Sequence, residues 1–278
     1  MVLRRKVKLK RVVRVWIWLI RKGGSAKTIS AVNFSAGLAC LGRKVLLIDF
    51  DPQANATRHM GINPRELHYS VNTLFTTIGF DPRSAIQTRS FTIGKQTYEV
   101  DVLSAHKSLD ETDLSMQATQ VGMFHPVIEV LQEDYDDIVI DTRPTRSLLT
   151  ISALIAATHA VIPMEAGVFA LDALEDTLED IENVKKGLNP DLKLVGVLPT
   201  RVRDATNLAG AVLGEANKRY GHLLIRYQAE DGQRLLFIRE SIKLGEAPGF
   251  GIPGIAYEPN NFAVRDYLKC VEVLNAQT

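Results

Sequence analysis

Cysteine is scarce in this chain of 278 residues, which has only Cys40 and Cys270. Neither residue belongs to a CxxC pair or to another spacing typical of metal sites. A disulfide-stapled or cysteine-ligated scaffold is therefore not expected, and the cysteine usage indicates a reduced, cytosolic protein.

Long hydrophobic runs are also missing. The longest apolar run is VWIWLI at 15–20, which is far too short to span a bilayer. It leads directly into a glycine-containing loop and not into a small-residue cleavage site, so no secretory signal is predicted.

An excess of charge of one sign is absent as well, because the formal net charge is +1. The average conceals a basic start, since residues 1–14 carry seven Lys or Arg and no acid, which leaves 26 basic and 32 acidic residues elsewhere. We therefore separate a basic N-terminal arm, residues 1–11, from a domain at 12–278. Such an arm either contacts DNA or anionic lipid or is not part of the ordered fold.

What the chain does have is an alternation of strand-like and helix-like segments. Val/Ile/Leu-rich runs without polar alternation indicate strands that are buried on both faces, as in a parallel sheet. A helical segment at 27–42 closes on Gly42, as expected at a helix C-terminus. Residues 54–97 are the least regular part and predict loops and short helices. The strand-like runs lie at 12–20, 44–49, 98–105, 136–141, 160–164 and 192–200. The fold class is α/β: a single doubly wound, mainly parallel sheet with helices on both faces.

The segment LIRKGGSAKT, residues 19–28, lies between the first predicted strand and the first predicted helix. The free N–H groups at such a helix start, together with the helix dipole, form an anion site. In this setting Lys27 would reach the β- and γ-phosphates, and the Thr28 hydroxyl would bind Mg²⁺. The order strand, glycine loop, helix and Lys-Thr predicts a nucleotide site.

Four segments in order resemble the ParA/MinD family of deviant Walker A ATPases, most closely its ParA-type partitioning branch. They are RKGGSAKT (21–28), KVLLIDFDPQANAT (44–57), YDDIVIDTRPTRSLLT (135–150) and IKLGEAPGFGIP (242–253). The resemblance extends over roughly residues 12–275 and implies a P-loop NTPase fold with ATP and Mg²⁺ as cofactors.

The resemblance also implies roles for individual residues. Lys22 would cross a dimer interface to the partner's nucleotide, Asp51 would position the attacking water, and Asp49 would support it. Asp141 would join Thr28 in contacting Mg²⁺. Catalysis is thus assigned to Lys22, Lys27, Asp49 and Asp51. The predicted nucleotide contacts are Lys22, Gly23, Gly24, Ser25, Ala26, Lys27, Thr28, Ile29, Arg239 and Ser241.

Two departures from the family pattern lie inside the phosphate loop. Ala26 replaces the glycine before the lysine, and Ile29 stands where a second threonine is usual. If the loop requires a positive φ at Ala26, the methyl group costs about 1–2 kcal/mol, or up to about 30-fold in affinity. The loss at Ile29 is about 1 kcal/mol if a hydroxyl normally bonds the nucleotide. Weak binding and slow ATP hydrolysis are expected.

Other departures lie outside that loop. Arg143 replaces the first proline of the family's DxPPS stretch, Arg239 and Ser241 stand where a proline and an asparagine commonly flank the adenine, and residues 198–208 lack the arginine of DxRTN. The charged residues expected to face the phosphates are all present, which favours a working ATPase over a switch that binds nucleotide without hydrolysing it. They are Lys22, Lys27, Asp49, Asp51 and Asp141.

Partners follow from the same resemblance. It implies a homodimer that forms on ATP, a ParB-like stimulating protein, non-specific DNA binding and a cytoplasmic, nucleoid-associated location. Lys243 corresponds to a basic DNA-contacting residue of the family, and Arg201 and Arg203 lie near the missing arginine. Salt-sensitive phosphate contacts are the expected mode of such binding.

Two further classes share this fold. A MinD-like membrane regulator would need a terminal amphipathic helix with a basic face. The end of the chain has helical spacing at Val264, Leu268 and Val271, but its polar positions mix both signs, which predicts a helix packed on the domain. An iron–sulfur electron carrier would need suitably placed cysteines, and neither cysteine occupies such a loop.

Overall fold

The computed structural model describes residues 13–203 and 207–278. The predicted basic arm at 1–11 lies outside the described residues, so the structure does not address it. The described part contains nine β-strands: β1 Arg14–Trp18, β2 Val45–Phe50, β3 Ile86–Ile93, β4 Gln96–Leu103, β5 Asp137–Thr142, β6 His159–Glu165, β7 Lys193–Thr200, β8 Arg226–Ala229 and β9 Gly232–Leu235.

Seven of these strands form one sheet in the order β3-β4-β2-β5-β1-β6-β7. All neighbours in it run parallel except β3 and β4. β8 and β9 form a separate antiparallel hairpin. The prediction of a mainly parallel, doubly wound sheet is confirmed, and the six predicted strands match the observed ones to within two residues at each end.

Helices cover both faces of the sheet. In the described residues they are α1 Lys27–Cys40, α2 Asn55–His59, α3 Val71–Thr76, α4 Leu109–Ser115, α5 Phe124–Leu131, α6 Leu148–Ala156, α7 Ala170–Gly187, α8 Asn207–Tyr220, α9 Ile242–Glu246, α10 Gly254–Tyr257 and α11 Phe262–Gln277. Apolar side chains of α5, α6 and α7 form a core on one face, and those of α1 and α11 form a second core on the other.

The central strand β1 shows why the sheet is buried on both sides. Val15 and Ile17 point into the first core, whereas Trp16 and Trp18 point into the second. Successive residues of a strand point to opposite faces of the sheet. Because all four side chains are fully buried, both faces of β1 are covered. Arg14, at the start of β1, is also buried and pairs with Asp137 across 2.7 Å, so this residue of the basic start belongs to the fold.

The structure differs from the sequence prediction at the edge of the sheet. Residues 86–93 form β3, which pairs antiparallel with β4, whereas loops and short helices were expected between 54 and 97. β3 is an edge strand and most of its side chains are exposed or half-buried, so it lacks the continuous apolar run that revealed the central strands.

The C-terminal helix α11 packs on the domain, as predicted, and the structure shows that it contacts α1. The Ser30 and Tyr267 hydroxyl groups are 2.9 Å apart in a buried hydrogen bond, and Gly37 lies directly beneath Val271. Cys40 and Cys270 lie on these two helices as free thiols. Among the described residues, no helix combines the length and the apolar character needed to cross a bilayer.

Candidate active site

A cleft of about 1230 Å³ lies above the carboxyl ends of the central strands. This is where open α/β sheets bind ligands. The loop that follows β1 forms one side of it, and the segment leading into α9 forms the opposite side. The predicted nucleotide contacts that line the cleft are Gly23, Gly24, Ser25, Ala26, Lys27, Thr28, Ile29, Arg239 and Ser241.

The loop between β1 and α1 has a left-handed turn at its end. Gly24 has a φ of 77° and Ala26 a φ of 62°. Ala26 is the N-cap of α1, and its carbonyl accepts the Ser30 N–H at 2.9 Å. The condition under which alanine is unfavourable here is therefore met: the position adopts the conformation that glycine tolerates best.

Lys27 opens α1 and is almost fully buried. Its Nζ donates to the Lys22 carbonyl at 2.9 Å, so the side chain lies along the loop. Burial lowers the pKa of Lys27, and the negative charges of Asp141 and Asp51 oppose that shift. The ammonium thus lies within the field of the two carboxylates that the sequence assigned to the site.

Asp141, near the end of β5, is completely buried. Neither of its carboxylate oxygens has a hydrogen-bond partner among the described residues. Burial raises its pKa well above the usual value, the charge of Asp49 adds to this, and Thr28 and Lys27 oppose it. The Thr28 hydroxyl thus lies close to the carboxylate without a well-formed hydrogen bond. A buried carboxylate with two unpartnered oxygens beside a threonine fits a divalent cation.

Asp49 lies beside Asp141 in the register of β2 and β5, but its environment differs. It accepts hydrogen bonds from the Thr57 hydroxyl at 2.7 Å, the Thr57 N–H at 2.8 Å and the Asp51 N–H at 3.2 Å. Asp49 does not line the cleft, and its carboxylate is turned toward the start of α2. Burial raises the pKa of Asp49 to about 6.

Asp51 lies directly on the cleft. It is 7% exposed, and its Oδ1 accepts the Gln53 N–H at 2.9 Å. This contact fixes the side chain at the turn after β2. Of the two predicted catalytic aspartates, Asp51 is the one whose carboxylate faces the space where a ligand would lie.

Lys22 does not line the cleft, although it belongs to the same loop. Its Nζ donates to the Val168 carbonyl at 2.9 Å and lies 3.9 Å from Glu165 Oε2. The side chain therefore reaches to the connection between β6 and α7, away from its own chain's phosphate loop.

The far wall of the cleft contains Arg239 and Ser241. The Arg239 guanidinium donates to Asp266 at 2.9 and 2.6 Å and lies 4.9 Å from the centre of the Phe262 ring. Its position is thereby fixed by α11.

Ile29, where the family usually has a threonine, packs against the second core. Its apolar side chain therefore contributes to packing.

The three predicted DNA-binding residues are all paired with acids. Lys243 lies 3.0 Å from Glu246, within α9. Arg201 and Arg203 both pair with Glu240 at the rim of the cleft.

Arg143, at the family's proline position, forms ion pairs with two aspartates of α4. It lies 2.7 Å from Asp113 and 3.2 Å from Asp110.

Sequence reasoning missed several residues that complete the site. Thr57 holds Asp49, Glu165 faces Lys22, Thr200 donates to the Ser25 carbonyl at 3.1 Å, and Glu240 holds the two arginines. Thr57 lies within the quoted DPQANAT segment, and Thr200 ends a predicted strand. Both residues thus lie in segments that the sequence analysis identified, but their hydrogen-bond partners could not be predicted from the sequence.

Comparison with known proteins gives consistent matches. A family model described as an AAA domain matches residues 14–194. The sporulation initiation inhibitor protein Soj of Bacillus subtilis is 33% identical over 250 residues, 89% of this chain and 92% of Soj. The chromosome partitioning protein ParA of Myxococcus xanthus is 30% identical over 248 residues, 89% of this chain and 83% of that protein.

A solved structure also matches over most of the chain. It is the crystal structure of cobyrinic acid a,c-diamide synthase from Mycobacterium smegmatis with a bound ATP analogue and magnesium. The TM-score is 0.72 and the sequence identity 30%, over 91% of this chain and 93% of that one.

Proposed function

This chain belongs to the ParA/MinD family of deviant Walker A ATPases, and we propose that it is a ParA-like partitioning ATPase. In this proposal it binds Mg·ATP in the cleft, dimerises on ATP, binds DNA without sequence preference and hydrolyses ATP when a ParB-like partner stimulates it. It acts in the cytoplasm, on the nucleoid.

The observation that carries the proposal is the arrangement around Lys27. The loop after β1 ends at a helix start whose first N–H groups are available to an anion, and Lys27 lies between that loop and the carboxylates Asp51 and Asp141. A triphosphate needs a cation-rich cradle with a metal site beside it, and these residues supply both parts.

A magnesium ion fits the donor set of this site. Thr28 and Asp141 would hold it, because both buried carboxylate oxygens of Asp141 lack a hydrogen-bond partner within the part of the chain that the structure describes. When bound, the ion supplies positive charge to the phosphate oxygens as negative charge shifts between them.

Hydrolysis would depend on Asp51. Its carboxylate faces the cleft and accepts the Gln53 N–H, which supports a role in orienting a water toward the γ-phosphorus. The water oxygen then forms a bond to phosphorus as the bridging P–O bond to ADP breaks, which yields ADP and phosphate. Positioning accounts for most of the catalysis in such reactions.

Dimerisation would use Lys22. Its ammonium does not line its own cleft; it donates to the Val168 carbonyl and lies 3.9 Å from Glu165. A modest rearrangement would release it to a phosphate of a second copy. Val168 and the next residue, Phe169, have exposed apolar side chains.

The test is sedimentation velocity of the wild type and Lys22→Ala with Mg·ATP, with Mg·ADP and without nucleotide. The proposal predicts a wild-type dimer in Mg·ATP alone. Lys22→Ala should retain ATP binding and stay monomeric. A wild type that sediments as the same species under all three conditions would overturn the ATP-dependent dimer.

A further inference from the structure

The end of β7 contacts the phosphate loop at two consecutive carbonyl groups. The Thr200 hydroxyl donates to the Ser25 carbonyl at 3.1 Å, and Arg201 Nη1 donates to the Gly24 carbonyl at 3.2 Å. Thr200 is fully buried. Two adjacent residues of one strand end thus hold two adjacent peptide groups of the loop.

These contacts determine where the loop's N–H groups point. In a trans peptide the N–H is directed opposite to the C=O of the same unit. Fixing the carbonyls of Gly24 and Ser25 toward β7 therefore directs the N–H groups of Ser25 and Ala26 away from it. Consecutive N–H groups held on one side form an anion-binding concavity.

The Arg201 side chain is itself held in position. Its Nη1 lies 3.5 Å from Glu165, and its Nη2 lies 3.1 Å from Glu240. Its backbone is left-handed, with a φ of 50°. A non-glycine residue keeps such a conformation only where its surroundings enforce it, and such residues concentrate at functional sites.

We propose that Thr200 and Arg201 are positioning residues that hold the phosphate loop in its ATP-binding conformation and thereby offset the penalty of Ala26. This inference rests on the proposed binding of ATP. Ala26 favours loop conformations other than the left-handed one that the structure shows. The contacts from β7 act on the two residues immediately before it and keep the loop from relaxing.

The expected size of the effect follows from populations. Apparent affinity falls by the fraction of loops in the binding-competent state. With the β7 contacts present that fraction is close to one, so Ala26→Gly alone should tighten ATP binding by only about twofold. Without them, an alanine loop loses most of its competent population, whereas a glycine loop retains much more.

The experiment measures the Kd for Mg·ATP by calorimetry for Arg201→Gln in two backgrounds, native Ala26 and Ala26→Gly. We expect about tenfold weaker binding with Ala26 and at most about threefold with glycine, consistent with the loss of one hydrogen bond from a charged donor. Arg219→Gln is the matched control, because Arg219 is equally exposed, 43% against 42%, and pairs with Glu175 away from the cleft. It should leave the Kd unchanged in both backgrounds.

Thr200 gives an independent arm. Thr200→Val removes the hydroxyl at nearly constant volume and should raise the KM for ATP about tenfold with little change in kcat, again only with Ala26. Thr200→Ser keeps the donor and should restore the wild-type KM. Melting temperatures of all variants identify any that lose affinity through unfolding.

The outcomes separate the two claims. A wild type that binds no ATP overturns the proposed function and this inference with it. If the wild type binds ATP and Arg201→Gln has the same Kd for Mg·ATP as Arg219→Gln, the inference is overturned and the proposed function is not. An equal loss from Arg201→Gln in both backgrounds also overturns it, because Arg201 would then act independently of Ala26.

Discussion

Asp49 and Asp141 are the same residue type at the same level of neighbouring strands, yet their environments differ. Thr57 and the Asp51 N–H satisfy Asp49, which joins the end of β2 to the start of α2. Asp141 has no hydrogen-bond partner among the described residues. An unsatisfied buried carboxylate is unfavourable unless a ligand completes it. Asp49 is thus satisfied within the protein, whereas the environment of Asp141 supports the proposal that it helps to hold a cation.

At the same scale, Asp51→Ala tests the assignment of the hydrolytic residue. Loss of the carboxylate that orients water should reduce kcat by about 100-fold or more while ATP affinity changes little. The ATP-bound dimer should then persist. Phosphate release in steady state measures the effect, with Asp191→Ala, an exposed acid before β7, as the control. Unchanged turnover in Asp51→Ala would show that another group positions the water.

His59 predicts a pH dependence of stability. Burial lowers its pKa to about 4 in the folded protein, below the value of about 6.5 in an unfolded chain. The unfolded state then binds the proton more readily, so stability is lost as the pH falls from 6.5 toward 4. At pH 5 the loss from this group is about 2 kcal/mol.

Urea unfolding at pH 8 and pH 5 measures that loss. His159 has a similarly lowered pKa and titrates in the same window. The prediction is therefore a difference: His59→Gln should lose about 2 kcal/mol less than the wild type between the two pH values. Equal losses in both proteins would contradict the buried, uncharged state of His59.

Part of the site was predictable from residue order alone. A strand, a glycine loop and a helix in that order put Lys27 and Thr28 in the first turn of the helix, next to the anion site of the loop. The structure brings Lys27, Thr28, Asp51 and Asp141 to the same end of the sheet, and their roles remain predictions. The direction of Lys22 and the contacts of Arg201 were not predictable. They depend on carbonyl groups more than 100 positions away, that of Val168 for Lys22 and that of Gly24 for Arg201, and no local pattern encodes such contacts.

At the scale of elements, the contact between α1 and α11 depends on Gly37. A Cβ at this position would lie 2.6 Å from Val271 Cγ2. We expect Gly37→Ala to destabilise the protein by about 1–2 kcal/mol, since the overlap exceeds the gain in helix propensity. Gly214 in α8 has open space around it, so Gly214→Ala should gain up to about 1 kcal/mol. Thermal unfolding compares them; a gain in both variants would show that α11 moves aside without cost.

The elements also show which parts of a fold a sequence reveals. The strands β1, β2, β5 and β6 are buried on both faces and appear as apolar runs. β3 lies at the edge, and its polar residues such as Thr88 and Ser90 bond to side chains of β4. Pairing with the neighbouring strand stabilises it, and hydrophobicity alone does not reveal it.

At the scale of the whole molecule, DNA binding should require ATP and decline steeply with salt. A dimer that neutralises about four phosphates would lose on the order of 100-fold in affinity between 50 and 200 mM salt. Retention on DNA measured against salt, in ATP and in ADP, tests this. Lys243→Ala should reduce the salt dependence by about one phosphate contact per subunit. Binding to anionic liposomes in place of DNA would favour a membrane-associated regulator.

The proposed function requires that the loop between β1 and α1 binds the phosphates of ATP. Calorimetric titration of Mg·ATP into the wild type and into Lys27→Ala measures this binding. We expect saturable heat with one nucleotide per chain in the wild type and none in Lys27→Ala. No heat in the wild type, or the same heat in both proteins, would contradict it.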